Sequence, residues 1–209
     1  FESGPPRTLC YRYSDPSVPQ PAPFQIGIAG RQTSSQVAAI LGASQLVGPV
    51  EVLGDFTVNE SFTFLNAVMF IRPDVRITVL GHNELTLDNS KLFCCNGMWR
   101  GIHLEQGALI HTLNTTEIED ALQAIDIPCS GTKMRINNTI FNRNYIGIRL
   151  GVNLGPLCVA PVSLLQFEEF SGPTFSCTPA LNLPTEPVGV AGLFIGRANI
   201  REGTDSSKT

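Results

Sequence analysis

Apolar residues recur at every second position along much of the chain. Ile102 and Leu104, Ile125 and Ile127, Ile148 and Leu150, and Leu193 and Ile195 each flank a single intervening residue. This is the alternation of a strand with one buried side, not the 3.6-residue stripe of a helix. The pattern also repeats as a block. GIHL at Gly101, AIDI at Ala124 and GIRL at Gly147 are separated by equal steps of 23 residues (124 − 101 and 147 − 124). GLFI at Gly192 follows after 45 (192 − 147), close to two more steps, with a large insertion in the intervening turn, and ITVL at Ile77 lies one step upstream. ELTL at Glu84 maps by 23 residues onto GALI at Gly107, and Asn114 maps onto Asn137.

A unit of this length holding several short strands cannot bury its apolar side alone. Coiling successive units stacks each strand about 4.8 Å from its predecessor and makes one continuous core. The pattern therefore predicts an all-β chain wound as a parallel β-helix, or solenoid. Ile102, Ile125 and Ile148 form one interior column and Leu104, Ile127 and Leu150 another. Gly101, Ala124 and Gly147 are expected at bends where a larger side chain would crowd the next coil. An antiparallel sandwich also has many short strands, but it does not require a fixed period.

A solenoid must cover its end coils. The stretch QTSSQVAAILGASQL predicts a short N-terminal capping helix. Ser34 or Ser35 would be its N-cap, Val37, Ile40 and Leu41 its apolar face, and Gly42 its stop. The expected organisation is an arm and capping helix over 1–54, the β-helix over 55–203 and a polar tail over 204–209. A proline-rich lateral loop is expected at about 151–188. Because position 1 is Phe and the polar end reads as a linker, the sequence is expected to be a mature or excised piece.

Composition narrows the function classes. Of 209 residues 43% are hydrophobic and 15% charged, with 19 Gly and 15 Pro, as suits a turn-rich β protein. A net charge of −4 with 14 Lys and Arg leaves no basic stripe for nucleic acid, and no apolar run is long enough to span a membrane as a helix. Six cysteines, Cys10, Cys94, Cys95, Cys129, Cys158 and Cys177, include no CxxC pair and no histidine at zinc-finger spacing. They are read as disulfide candidates in an oxidising compartment, with buried free thiols as the alternative. Cys158 with Cys177 would close the lateral loop, and Cys10 would tether the arm to Cys94 or Cys95; sequence does not choose among the pairings.

The stretches CNGMWRGIHLEQGALI, IEDALQAIDI and NNTIFNRNYIGIRL carry a resemblance. Across about Asp55 to Gly203 the chain resembles the right-handed, pectate-lyase-like β-helix modules of large secreted bacterial surface proteins, in particular modules associated with type IX secretion. The resemblance implies a right-handed coil and an extracellular or cell-surface location. It implies no chemistry, since the same coil carries lyases, hydrolases, adhesins and passive stalks.

Enzymatic relatives of this shape place their sites on an outer sheet face. The 23-residue step lines up His103, Asp126 and Arg149 there, each between two inward aliphatics, as the catalytic candidates if the chain is a polysaccharide lyase or glycoside hydrolase. The plainer reading is a solvated row in which Asp126 compensates two cations. Trp99 and Tyr145, with Leu122 between them, are candidates for stacking on sugar rings. Glu117, Glu119 and Asp120 lack a supporting loop motif and are a weak calcium signal. No metal or cofactor is expected, and GxSxG, HExxH, P-loop and dinucleotide fingerprints are missing. The leading expectation is a non-catalytic extracellular module serving as a structural, adhesive or assembly element, with self-association, other surface proteins or polysaccharide as its partners. A carbohydrate-binding module is the further alternative.

Overall fold

The computed structural model describes residues 22–95, 97–128, 131–151, 165–176, 191–195 and 200–202. In chain order the elements are β1 (Phe24–Ile26), a 3-10 turn (Ile28–Gly30), β2 (Arg31–Thr33), α1 (Ser34–Leu41), β3 (Gln45–Val52), β4 (Asp55–Val58), β5 (Phe62–Ile71), β6 (Arg76–Val79), β7 (Glu84–Asp88) and β8 (Lys91–Phe93). They continue as β9 (Gly101–Leu104), β10 (Leu109–Leu113), β11 (Glu117–Glu119), β12 (Gln123–Ile127), β13 (Lys133–Asn137), β14 (Ile140–Asn142), β15 (Ile146–Leu150), β16 (Leu165–Ser171), β17 (Thr174–Ser176), β18 (Ala191–Ile195) and β19 (Ile200–Glu202).

The pairings among these strands are parallel and join one coil to the next, giving a β-solenoid of about five turns. Three faces line the core. The first is the ladder β2, β4, β6, β9, β12, β15, β18. The second stacks the N-terminal parts of β3 and β5 with β7, β10, β13, β16 and β19; the third stacks β1, the C-terminal parts of β3 and β5, β8, β11, β14 and β17. The interior column is as the alternation predicts: Ile77, Ile102, Ile125 and Ile148, all fully buried, are successive partners on the first face. The core runs unbroken from Ile26 to Leu150, and Phe56, Phe62 and Phe64 pack edge to face near its N-terminal end.

The corners explain the turns. Asn66, Asn89, Asn114 and Asn138 all sit between the second and third faces with φ of 45° to 54°, a left-handed conformation that asparagine tolerates better than other side-chain-bearing residues. Just inside this corner Ser90, Thr116 and Thr139 bury their hydroxyls. Ser90 donates to the Phe64 carbonyl at 3.0 Å and Thr116 to the Leu87 carbonyl at 2.9 Å, so a polar seam replaces solvent for backbone groups at the bend. Gly101 has φ +95°, and a Cβ there would overlap the Gln123 carbonyl of the next coil, the crowding expected of that position.

Several expectations are corrected. The step is 23 only where turns are equal: Ile77 pairs with Ile102, a step of 25 (102 − 77), and Leu85 pairs with Ile110, so ELTL aligns two residues later than a 23-residue map places it. Since Thr112 pairs with Ile136, Asn114 falls beside Asn138, not Asn137. The span of 45 between β15 and β18 is one long coil, because these strands pair directly. That coil includes β16 and β17, paired with β13 and β14, inside the stretch expected as one lateral loop. The solenoid also starts earlier than residue 55, with β1, β2 and β3 already stacked on it.

The capping helix is present, but Thr33 is its N-cap. Its side chain accepts from Gln36 N, and the Gln36 side chain accepts from Thr33 N at 3.0 Å. Gly42 ends it in the left-handed conformation. Val37 and Ser34 are buried, whereas Ile40 is 66% exposed and Leu41 lies at the surface, so the apolar face is narrower than the sequence suggests. Ser34 instead anchors the helix, donating to the Glu60 carbonyl at 2.8 Å.

Candidate functional site

On each strand the residue between two inward aliphatics faces outward, and stacking brings successive outward residues together. On the first face this column reads Thr57, Thr78, His103, Asp126, Arg149, from direct strand partners. His103 Nδ1 lies 2.9 Å from Asp126 Oδ2, and Arg149 Nε donates to Asp126 Oδ1 at 2.8 Å. The sequence-predicted trio is thus brought together. Asp126 is only 4% exposed, sandwiched by its two neighbours, and both its oxygens are occupied. Burial raises its pKa, but the hydrogen bonds from His103 and Arg149 and their charge outweigh that, so the carboxyl is held below the ordinary Asp value. A carboxylate only accepts, so His103 donates to it through Nδ1.

The aromatic pair is not brought together. Trp99 is 0% exposed in the core, pairs with Ala121, and donates its indole N–H to the Glu119 carbonyl at 2.7 Å. Tyr145 lies at the surface, 37% exposed. Trp99 therefore has no face to offer a sugar. Trp99 takes its inward place beside the buried Ala121, two residues before β9 begins.

Sequence reasoning missed a buried ionic cluster at the corner between the third and first faces. Arg143 donates through Nε and Nη2 to Asp120 at 2.8 and 2.6 Å, and through Nη2 to Glu119 at 3.0 Å; Asn142 donates to Glu119 at 2.6 Å. Asp120 and Arg143 both take left-handed φ, 58° and 55°, which stacks their side chains. A signal was available, since Asp120 and Arg143 are separated by the same 23 residues as the strand repeat. The acidic stretch read as a weak calcium signal is thus engaged by cations: Glu117 pairs with Lys91 at 3.2 Å and the other two with Arg143.

A third group lies on the second face. A register shift between Met134 and Arg135 inserts Glu168, which meets Lys133 and Arg135, each at 2.7 Å. The hydrogen bond from Lys133, with help from Arg135, holds the Glu168 carboxyl below the ordinary Glu value. Nearby His111 Nδ1 lies 3.5 Å from Glu84 Oε1. Among the described residues no group of three or more His, Cys, Asp or Glu is placed to hold a metal ion, and no helix is long and apolar enough to cross a membrane. Of the cysteines, Cys94 is buried and Cys95 half-buried after β8; Cys10, Cys129, Cys158 and Cys177 lie outside the described residues, as does the tail over 204–209.

No protein-family model matches this chain, and it shows no significant similarity to a curated protein or to a solved structure.

Proposed function

We propose that the chain is a non-catalytic extracellular β-solenoid module, a stiff structural or adhesive element of a cell-surface assembly. One observation carries this reading. Among the described residues, the charged clusters that strand stacking assembles are closed on themselves: both Asp126 oxygens are taken by His103 and Arg149, Glu168 pairs with Lys133 and Arg135, and Glu119 and Asp120 pair with Arg143. A catalytic acid or base must keep a proton-accepting or proton-donating atom aimed at substrate, whereas these groups are aimed at one another. Continuous backbone pairing over about five coils, at about 4.8 Å per coil, makes a rod about 25 Å long with little internal freedom.

The extracellular part of the reading rests on the cysteine set and on the sequence resemblance to secreted bacterial β-helix modules of the pectate-lyase-like, type IX-associated kind. The rival is a polysaccharide lyase or hydrolase acting through His103, Asp126 and Arg149. Incubation with acidic and neutral polysaccharides, read as release of unsaturated or reducing ends, separates the two. We expect no release. Turnover abolished by Asp126→Asn and kept by Lys91→Ala would overturn the non-catalytic reading, while binding without turnover would place the module among carbohydrate-binding proteins.

A further inference from the structure

Three consecutive rungs of the second face keep every outward side chain within reach of solvent. On β7, β10 and β13 burial alternates without a break: the inward residues are fully buried, and the outward ones are half-buried or exposed. On the first face, by contrast, Asp126 points outward and is buried. The outward residues of β10 are Leu109, His111 and Leu113, so a histidine ring stands between two accessible leucines. Strand partners place a polar rung on each side. Glu84, Thr86 and Asp88 of β7 lie beside Leu109, His111 and Leu113. Lys133 and Arg135 of β13 lie beside Leu109 and His111, with Asn137 the next outward residue of that strand. The apolar rung therefore runs about 13 Å along β10, with hydrogen-bonding groups about 4.8 Å away on both flanks. The β7 flank is rich in acceptors and the β13 flank in donors.

We propose that this strip, centred on His111, binds a neutral glycan chain laid along β10, with the C–H faces of its rings on Leu109, His111 and Leu113 and its hydroxyl edges on the two polar rungs. The inference rests on the adhesive form of the function proposed above and gives that adhesion a ligand class. Chemistry, charge and size select this occupant. A pyranose ring is itself amphipathic, with C–H groups on its faces and hydroxyl donors and acceptors at its edges, and the order polar, apolar, polar across three rungs matches it. Charge disfavours an anionic chain. Four carboxylates, Glu84, Asp88, Glu168 and Glu169, stand on this face against the two cations Lys133 and Arg135, and both cations are already paired with Glu168 at 2.7 Å. A uronate or a phosphodiester would meet an excess of negative charge, whereas a hydroxyl needs only a hydrogen bond. The paired groups keep capacity for one. Asp88 accepts from Asn114 through Oδ1, and Glu84 accepts from Thr86 through Oε1; each carboxylate has a second oxygen, and an ammonium and a guanidinium carry more N–H donors than one carboxylate takes up. The strip is also small. About 13 Å by 10 Å is far below the roughly 800 Å² per partner that a stable protein interface buries, and its apolar part is a single rung.

Isothermal titration of the full chain with soluble oligosaccharides of glucose, mannose, galactose and xylose, and with polygalacturonate as the acidic comparison, tests the strip. We expect a neutral oligosaccharide to bind, and Leu109→Glu and Leu113→Glu each to weaken that binding by about tenfold or more, while Lys91→Ala on the third face leaves it unchanged. Binding that persists in both leucine variants, binding of polygalacturonate alone, or no binding of any neutral probe overturns the proposal. Should the leucine variants fail to fold, hydrogen exchange of the wild-type chain with the bound oligosaccharide gives a second reading: slowed exchange centred on β7, β10 and β13 supports the strip, and slowed exchange centred on the first or third face overturns it. The two proposals fail separately. Release of reducing ends from an oligosaccharide bound at the strip would strike the non-catalytic reading and leave the strip standing, whereas absence of binding strikes the strip and leaves the structural role untouched.

Discussion

At the scale of single residues, Asp126 is the most informative side chain. It is buried, yet both its oxygens are satisfied by a histidine and an arginine one rung away on either side. Replacing it by asparagine removes the carboxylate that accepts from both His103 and Arg149, and we expect Asp126→Asn to lower the unfolding free energy by about 2 kcal/mol in urea titrations near pH 7. The pH dependence follows from the lowered pKa. A carboxyl whose folded-state value lies below its unfolded value contributes stability that is present above the ordinary Asp range, about 3.9, and is lost as pH falls through the folded-state value. The gap between wild type and Asp126→Asn should accordingly close on acidification below about pH 4; a gap independent of pH would show that the ion pairs contribute nothing. This trio was legible in the sequence because equal steps separate its members. Trp99 was not, since an aromatic before a strand reads the same whether it faces in or out. The Arg143 cluster was legible in spacing but hidden by residue type, because a buried arginine with two carboxylates is uncommon outside a paired arrangement.

At the scale of elements, the repeat was readable where corners are built alike and failed where they are not. Between β9, β12 and β15 the turns match and the step is constant; between β6 and β9 the Cys94–Arg100 turn lengthens the coil, and between β15 and β18 inserted residues carry it to 45. Strand identity survives such changes because pairing fixes register locally, whereas a global period does not. The corners give sharp tests. Gly101→Ala requires both a left-handed φ and room beside the Gln123 carbonyl, and neither is available to a side chain, so a loss of roughly 2 to 4 kcal/mol is expected in thermal or urea unfolding. At the capping helix Thr33→Ala removes the acceptor for Gln36 N and half of the capping box, which should cost about 1 kcal/mol. If Ser34→Ala costs far less than Thr33→Ala, the N-cap outweighs the buried anchor; the reverse order would assign the helix's stability to its hydrogen bonds with Asn59 and Glu60.

At the scale of the whole molecule, the strand pairings join neighbouring coils, so stability is a sum of coil terms and of interfaces between adjacent coils. A single coil of short strands cannot bury its apolar side, so the interface terms dominate and a defect should weaken its own coil and the two in contact with it before it reaches the ends. Ile125 is the natural place to create one, being fully buried and paired with Ile102 below and Ile148 above. Ile125→Ala should cost about 2 to 5 kcal/mol in global stability. Native-state hydrogen exchange should then quicken most in β12 to β14, next in β9 to β11, and least in β4 and the first half of β5. A uniform increase along all three faces would mean that the continuous core from Ile26 to Leu150 locks the coils into one cooperative block. In that case the module would behave as a rigid body under load, and a stalk role would be favoured over one in which individual coils open to meet a partner.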